Sequence, residues 1–142
     1  MDINKANNYF FKLLQKGKPI YWNYEDDIDK VLISDGHIIV IMNRDDVLIS
    51  TDKSKRIDDM YKKFIPDDNY YLETKLTDTI LLDPIMDKLR ILITSNDDTI
   101  YIQDRYISLF KVYELKAIAP DKPVLVYDNN SIIGMILPVK RY

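Results

Sequence analysis

The chain has 142 residues, of which 46% are hydrophobic and 30% charged, a balance typical of one globular domain and too apolar for a disordered chain. It contains no cysteine, which excludes disulfides and cysteine-based zinc or redox sites. The net charge of −3 argues against a protein held to DNA mainly by phosphate contacts, because such proteins usually carry a basic excess.

The first predicted element is an amphipathic helix over residues 3–16, with Asp2 as its N-cap. Lys5, Lys12 and Lys16 are spaced so that they share one side of this helix, which predicts a DNA-facing surface inside a nearly neutral chain. The alternative interpretation, and the more common one for a charged helix side, is an ordinary solvated face.

Strands dominate the rest of the chain. Asp35 and Gly36 form the dipeptide favoured in two-residue hairpin turns, so the strands beside them are expected to pair antiparallel. A second helix is predicted over residues 57–64, and Asp104 can cap a third over residues 105–111. The predicted strands cover residues 20–24, 30–34, 37–42, 47–50, 70–73, 77–82, 89–94, 99–103, 124–127 and 132–139.

This order predicts an α+β fold with a mainly antiparallel sheet and two or three short helices, in one domain over residues 1–142. No long crossover helices are predicted, although parallel strands would need them. Weak internal symmetry is also visible, since the first helix and its hairpinned strands resemble the last helix and the strands that follow it.

Residue types that carry catalysis are scarce. His37 is the one histidine, and no motif places a nucleophile or an orienting carboxylate beside it. The acidic pairs lie in predicted turns or helix starts, and none has the spacing of a calcium loop. With three glycines, the chain has no phosphate-cradling loop and no dinucleotide motif. We therefore expect a protein that is not an enzyme and needs no metal or cofactor.

Two stretches resemble DNA sliding clamps. Residues 32–40 (LISDGHIIV) resemble the strand-turn-strand of a clamp domain. The C-terminal part resembles the last domain of a bacterial clamp, in which a strand leads into a short helix, a proline-preceded strand and a terminal strand ending Met-Pro-x-Arg. The matching features here are residues 100–103, 104–111, 123–127 and 137–140 (LPVK), and the whole is similar to small phage proteins of that shape. A bacterial clamp subunit has three such domains, whereas this chain has room for one.

The resemblance implies a partner-binding tail. In clamps this segment helps to form a pocket for short peptides of polymerases and other partners, so Leu137, Pro138, Val139 and Lys140 would line a similar groove. Lys140 stands where clamps have arginine, and Tyr142 is included in the predicted partner surface. Pro138 lacks an amide donor, which fits a strand end or an edge. The alternative is a tail that merely completes the sheet.

The first functional hypothesis is a non-enzymatic, phage-type clamp-like protein that binds a protein partner as an accessory factor of DNA replication. A ring of such domains would need several copies, so a homo-oligomer belongs to this hypothesis. The alternative is a phage-encoded anti-defence inhibitor, similar to anti-CRISPR proteins, whose acidic turns block a groove of a host defence protein. The sequence shows no signal-peptide pattern and no apolar run near about 20 residues, so we expect a cytoplasmic protein without a membrane partner.

Overall fold

The computed structural model describes residues 1–24, 29–50, 55–56, 71–111 and 113–140, with the backbone alone at 55–56. The helices are α1 (Ile3–Gln15) and α2 (Asp104–Ile107), and a 3-10 turn spans Arg44–Asp46. The strands are β1 (Tyr21–Tyr24), β2 (Lys30–Ser34), β3 (Ile38–Asn43), β4 (Lys55–Arg56), β5 (Leu72–Asp83), β6 (Asp87–Thr94), β7 (Thr99–Gln103), β8 (Glu114–Ala117), β9 (Val124–Asp128) and β10 (Ser131–Ile136). The predicted helix over residues 57–64 and the acidic turn over residues 25–28 lie outside the described residues.

The described strands form one sheet in the order β4-β1-β2-β3-β10-β9-β8-β5-β6-β7. Every pairing in it is antiparallel except that of the two-residue β4, which runs parallel to β1. The predicted α+β class with a mainly antiparallel sheet is therefore confirmed.

Six of the ten described strands belong to two similar units. Helix α1 is followed by the antiparallel strands β1, β2 and β3, and helix α2 is followed by β8, β9 and β10. The last strands of the two units pair antiparallel at the centre, where Gly134 lies opposite Val40. The internal symmetry that the sequence indicates is present in the strand order.

The main core lies on the side of the sheet that carries the helices. Phe10 of α1 and Tyr106 of α2 are fully buried there, together with Ile33, Val40 and Ile102. Because side chains from β2 and β3 join those from the distant strand β7 in one cluster, the sheet curves around this core. A second cluster covers the opposite face and contains Leu32, Ile41, Leu125, Tyr127 and Met135.

The predicted strand over residues 47–50 is wrong. The structure has no regular element there, and the backbone N–H of Leu48 donates to Oδ1 of Asn7 on α1, 2.9 Å away. The amide nitrogen of the Asn7 side chain donates to the carbonyl of Asp46, 2.8 Å away. A helix side chain thus bonds the backbone N–H of Leu48 and the carbonyl just before the predicted strand, which residue periodicity cannot reveal.

One strand, β5 (Leu72–Asp83), stands where two were predicted over residues 70–73 and 77–82, of which residue 70 lies outside the described residues. Strand β8 is one that the sequence did not indicate. Between Leu76 and Ile80, β5 advances four residues while its partner β6 advances two, from Leu92 to Arg90. The polar residues in this stretch form a bulge within one strand, so the predicted break does not exist.

Two further predictions need correction. The predicted two-residue hairpin turn is a connection of three residues, 35–37, because Oδ1 of Asp35 accepts the backbone N–H groups of His37 and Ile38 and holds a wider turn. The helix predicted over residues 105–111 is the four-residue α2, and Asp104 lies inside it without capping it. The Asp104 carboxylate instead forms an ion pair with Arg90, at 2.8 Å. The Asp104 carboxylate thus pairs with Arg90, which is distant in sequence, and does not cap the helix.

Candidate functional site

The tail predicted to bind a partner leaves β10 after Ile136. The backbone N–H of Leu137 donates to the carbonyl of His37 (2.9 Å), and that of Val139 donates to the carbonyl of Tyr101 on β7 (2.7 Å). The tail therefore joins the centre of the sheet to its last strand. Leu137 and Lys140 are exposed, Pro138 and Val139 are half-buried, and Tyr142 lies outside the described residues. Pro138 lies beyond the strand end, in agreement with its missing donor.

The three lysines of the predicted DNA-facing surface, here called the α1 lysine face (Lys5, Lys12 and Lys16), are all exposed. Helix α1 buries Ala6 and Phe10 against the sheet, so its lysines point to the solvent side. The structure thus leaves the α1 lysine face open, and whether it meets DNA stays a prediction.

The structure brings together a polar cluster that the sequence did not predict. Oδ2 of Asp35 accepts hydrogen bonds from the hydroxyls of Tyr9 and Tyr106, the second at 2.9 Å. Oδ1 of the same carboxylate accepts the backbone N–H groups of His37 and Ile38 at 2.8 and 3.0 Å. Asp35 therefore joins α1, the β2–β3 turn and α2 through four hydrogen bonds.

The two tyrosines of this cluster act as hydrogen-bond donors. Burial raises the pKa of Tyr9 above its ordinary value, and the Asp35 carboxylate that accepts its hydrogen bond raises it further. Burial also raises the pKa of Tyr106, and the negative charge of Asp35 adds to the effect. Both hydroxyls therefore stay protonated at neutral pH, and their geometry fits a structural clasp.

A pocket of about 220 Å³ opens beside the cluster. Its lining includes Tyr9 and Asp35 together with three basic side chains, Lys18, His37 and Arg105. The guanidinium carbon of Arg105 lies 5.0 Å from the centre of the Tyr106 ring, and one of its nitrogens donates to the Tyr106 hydroxyl at 3.1 Å. Three segments of the chain, distant in sequence, thus place basic groups around one opening.

The β5–β6 hairpin carries the most exposed large hydrophobic side chains of the described residues. Ile85 in its turn is 89% exposed, and Leu82 on β5 is 76% exposed, with Ile80 also exposed. The base of the hairpin is fixed: Oγ1 of Thr77 donates to the carbonyl of Ile91 at 2.8 Å, and Arg90 donates to the carbonyl of Thr77 at 3.3 Å. A firmly held hairpin therefore presents apolar side chains to solvent.

A groove of about 550 Å³ lies beside the same strand. Strands β5 and β8 pair only from Leu72 opposite Ala117 to Thr74 opposite Leu115. Beyond that point the two strands separate, and Leu76 and Tyr113 lie on the walls of the groove. The ammonium of Lys116, a residue that also lines the groove, lies over the rings of Tyr71 and Tyr127, 5.3 and 4.7 Å from their centres, so β8 is well anchored.

Among the described residues, no group of three or more His, Cys, Asp or Glu side chains is placed to hold a metal ion. No helix in the part of the chain that the structure describes has the length and apolarity to span a bilayer. Comparison of the chain with protein-family models, with curated proteins and with solved structures finds no match.

Proposed function

We propose that this protein is a non-enzymatic binding module that takes up an extended peptide of a partner protein along the outer edge of β5. The observation that carries the proposal is the separation of β5 from β8 after Thr74, beside a groove of about 550 Å³. Within the described residues, the rest of β5 pairs on one side only, with β6. An open strand edge is a template for a further strand.

The direction of the backbone groups supports this. The N–H of Ser95 donates to the carbonyl of Glu73 at 2.8 Å, so the polar groups of Glu73 point towards the β6 side. Because these groups alternate along a strand, those of Thr74 point to β8 and those of Leu76 point into the groove. A peptide lying in the groove would exchange backbone hydrogen bonds with Leu76 in the way that β8 does with Thr74.

Apolar side chains would supply most of the affinity. Ile80 and Leu82 lie along β5, and Ile85 follows in the turn, all exposed. Full burial of one such side chain stabilises a complex by about 1.5–3 kcal/mol. The groove walls carry charges of both signs, Glu73 and Glu114 with Lys75 and Lys116, so net charge does not select the partner. The expected ligand is an extended segment with apolar residues at alternate positions.

The experiment is selection from a random peptide library on the immobilised protein, followed by measurement of affinity by fluorescence anisotropy. Leu82→Lys places a charge on the proposed edge and should weaken selected peptides at least roughly tenfold. The matched control is Leu48→Lys, because Leu48 is 75% exposed and its backbone is bonded to Asn7 of α1. It should leave affinity unchanged.

Hydrogen exchange distinguishes the edge from other surfaces. A bound peptide should slow exchange of the backbone N–H of Leu76, which the strand alternation points into the groove. Failure to select any peptide, equal affinity for both lysine variants, or unchanged exchange at Leu76 would each refute strand addition. A second copy of the chain on the same edge would appear as concentration-dependent dimerisation that Leu82→Lys abolishes, and this too would refute the peptide proposal.

The clamp-like hypothesis keeps one supporting observation. The order β7, α2, β9 and β10, with Pro123 directly before β9, follows the order that the resemblance implies, with β8 in addition. Under this hypothesis the peptide belongs to a replication protein and docks at the tail; under the alternative the partner is a host defence protein. Identification of the partner by cross-linking at position 82 or 137, followed by mass spectrometry, separates these hypotheses.

A further inference from the structure

We propose that the pocket between α1, the β2–β3 turn and α2 binds a phosphate-type oxyanion. The pocket holds about 220 Å³ and has Lys18, His37 and Arg105 in its lining. It is separate from the β5 edge, so its occupancy does not depend on the proposed peptide binding.

The first support is that the cationic groups of Lys18 and Arg105 form no ion pair with a described carboxylate. The guanidinium of Arg105 makes one hydrogen bond in the described structure, to the neutral hydroxyl of Tyr106. Guanidinium has five N–H donors, so four remain for a ligand. Lys18 is exposed and forms no ion pair with any described carboxylate. Two cationic side chains therefore line one opening without an ion pair in the described structure, although the negative charge of Asp35 lies near enough to act on Arg105.

Asp35 lines the pocket and attracts Arg105 electrostatically, but it forms no hydrogen bond with Lys18 or Arg105. Each of its oxygens already accepts two hydrogen bonds, from the two tyrosines and from two backbone N–H groups. Its formal charge of −1 against +2 from Lys18 and Arg105 leaves the lining at +1 with His37 neutral. An anion thus finds free donors and a net positive field.

The arginine is held in place before a ligand arrives. Its guanidinium stacks over Tyr106, which is fully buried and bonded to Asp35. A fixed planar guanidinium can offer two parallel N–H groups to one tetrahedral anion, a geometry that favours phosphate over a single-point cation such as lysine. Preorganisation of this kind lowers the entropic cost of binding.

The test is a titration of the full chain with inorganic phosphate at low, constant ionic strength, followed by NMR chemical shifts of the backbone N–H groups of His37 and Arg105. Saturable shifts are expected. Nucleoside monophosphate and acetate form the other arms: tighter binding of the nucleotide would show that the phosphate belongs to a larger ligand, and equal binding that the phosphate group alone is recognised. Acetate should bind at least roughly tenfold more weakly than phosphate.

Variants keep the proposal open to refutation. Arg105→Gln and Lys18→Gln should each weaken phosphate binding roughly tenfold. The side chain of Lys18 makes no hydrogen bond or ion pair in the described structure, and its backbone bond to Leu13 is unaffected by Lys18→Gln. This variant should therefore keep the fold even if Arg105→Gln does not. Lys12→Gln removes the same charge from α1 outside the pocket lining and should have no effect. The proposal is overturned if phosphate gives no saturable shift, if acetate binds equally well, or if the Lys12 variant loses as much affinity as the Lys18 variant.

Discussion

Gly134 at the centre of β10 occupies a position where no side chain fits. A Cβ there would lie 2.6 Å from Cζ and 2.8 Å from Cε1 of Phe110, and 2.9 Å from the backbone oxygen of Ile39. Carbon atoms in contact are normally about 3.5–4.0 Å apart. Phe110 is itself buried and packs edge-on against Tyr113, so its ring has little freedom to withdraw. We predict that Gly134→Ala destabilises the protein through this overlap.

The expected cost is about 1–3 kcal/mol, the usual range for an overpacked core. For a chain of this length, that corresponds to a fall in Tm of roughly 3–10 °C. Gly134 does not have the positive φ found at Gly17 and Gly36, so contact rather than backbone strain causes the loss. Phe110→Leu replaces the ring with a shorter side chain and should relieve part of the destabilisation caused by Gly134→Ala, while the overlap with the Ile39 oxygen persists.

The assay is urea unfolding, monitored by circular dichroism, of the four proteins of the double-mutant cycle. The double variant should be more stable than the sum of the single losses predicts, by at least about 0.5 kcal/mol. Gly36→Ala is the control, because Gly36 has a φ of +97° but its nearest neighbour, Cε2 of Tyr21, is 4.0 Å away. Its loss should not couple to Phe110→Leu. A Gly134→Ala protein as stable as the wild type, or a coupling of zero, would refute the reasoning.

Three further predictions concern the clasp, the tail and the α1 lysine face. Because the pKa values of Tyr9 and Tyr106 are raised on folding, the native state binds more protons than the unfolded chain above about pH 10. Stability should therefore fall as the pH rises beyond that value, and Tyr9→Phe should flatten the decline in urea midpoints; an unchanged slope would contradict the clasp. Truncation after Val139 keeps the bond to Tyr101, so the unfolding free energy should change by less than about 0.5 kcal/mol, whereas a larger loss would show that the final residues stabilise the sheet. If the α1 lysine face contacts DNA, replacing its three lysines by glutamine should weaken duplex binding at low salt and reduce the salt dependence by about three counterions; absence of binding by the wild type would leave an ordinary solvated face.

Local patterns in the sequence were sufficient for the elements whose neighbours agree with them. The predicted helix over residues 3–16 is α1, because its apolar spacing matches one buried face and Asp2 caps it, accepting the N–H of Lys5 at 3.2 Å. The alternating residues of β7 were predicted with the observed bounds, Thr99–Gln103. Periodicity of this kind is set by the geometry of each element and is visible without its partners.

The remaining features depend on which hydrogen-bond or ion-pair partner each polar group finds, and only the tertiary structure shows that choice. Asp35 was predicted to form a simple turn, but it lies 26 residues from Tyr9 and 71 from Tyr106, so no local pattern indicates the clasp. The same holds for Asn7, whose amide bonds a backbone N–H of a predicted strand, and for the basic pocket beside the clasp. A polar group bonds to the partner that the fold brings within about 3 Å, and that partner is selected by chain topology rather than by neighbouring residues.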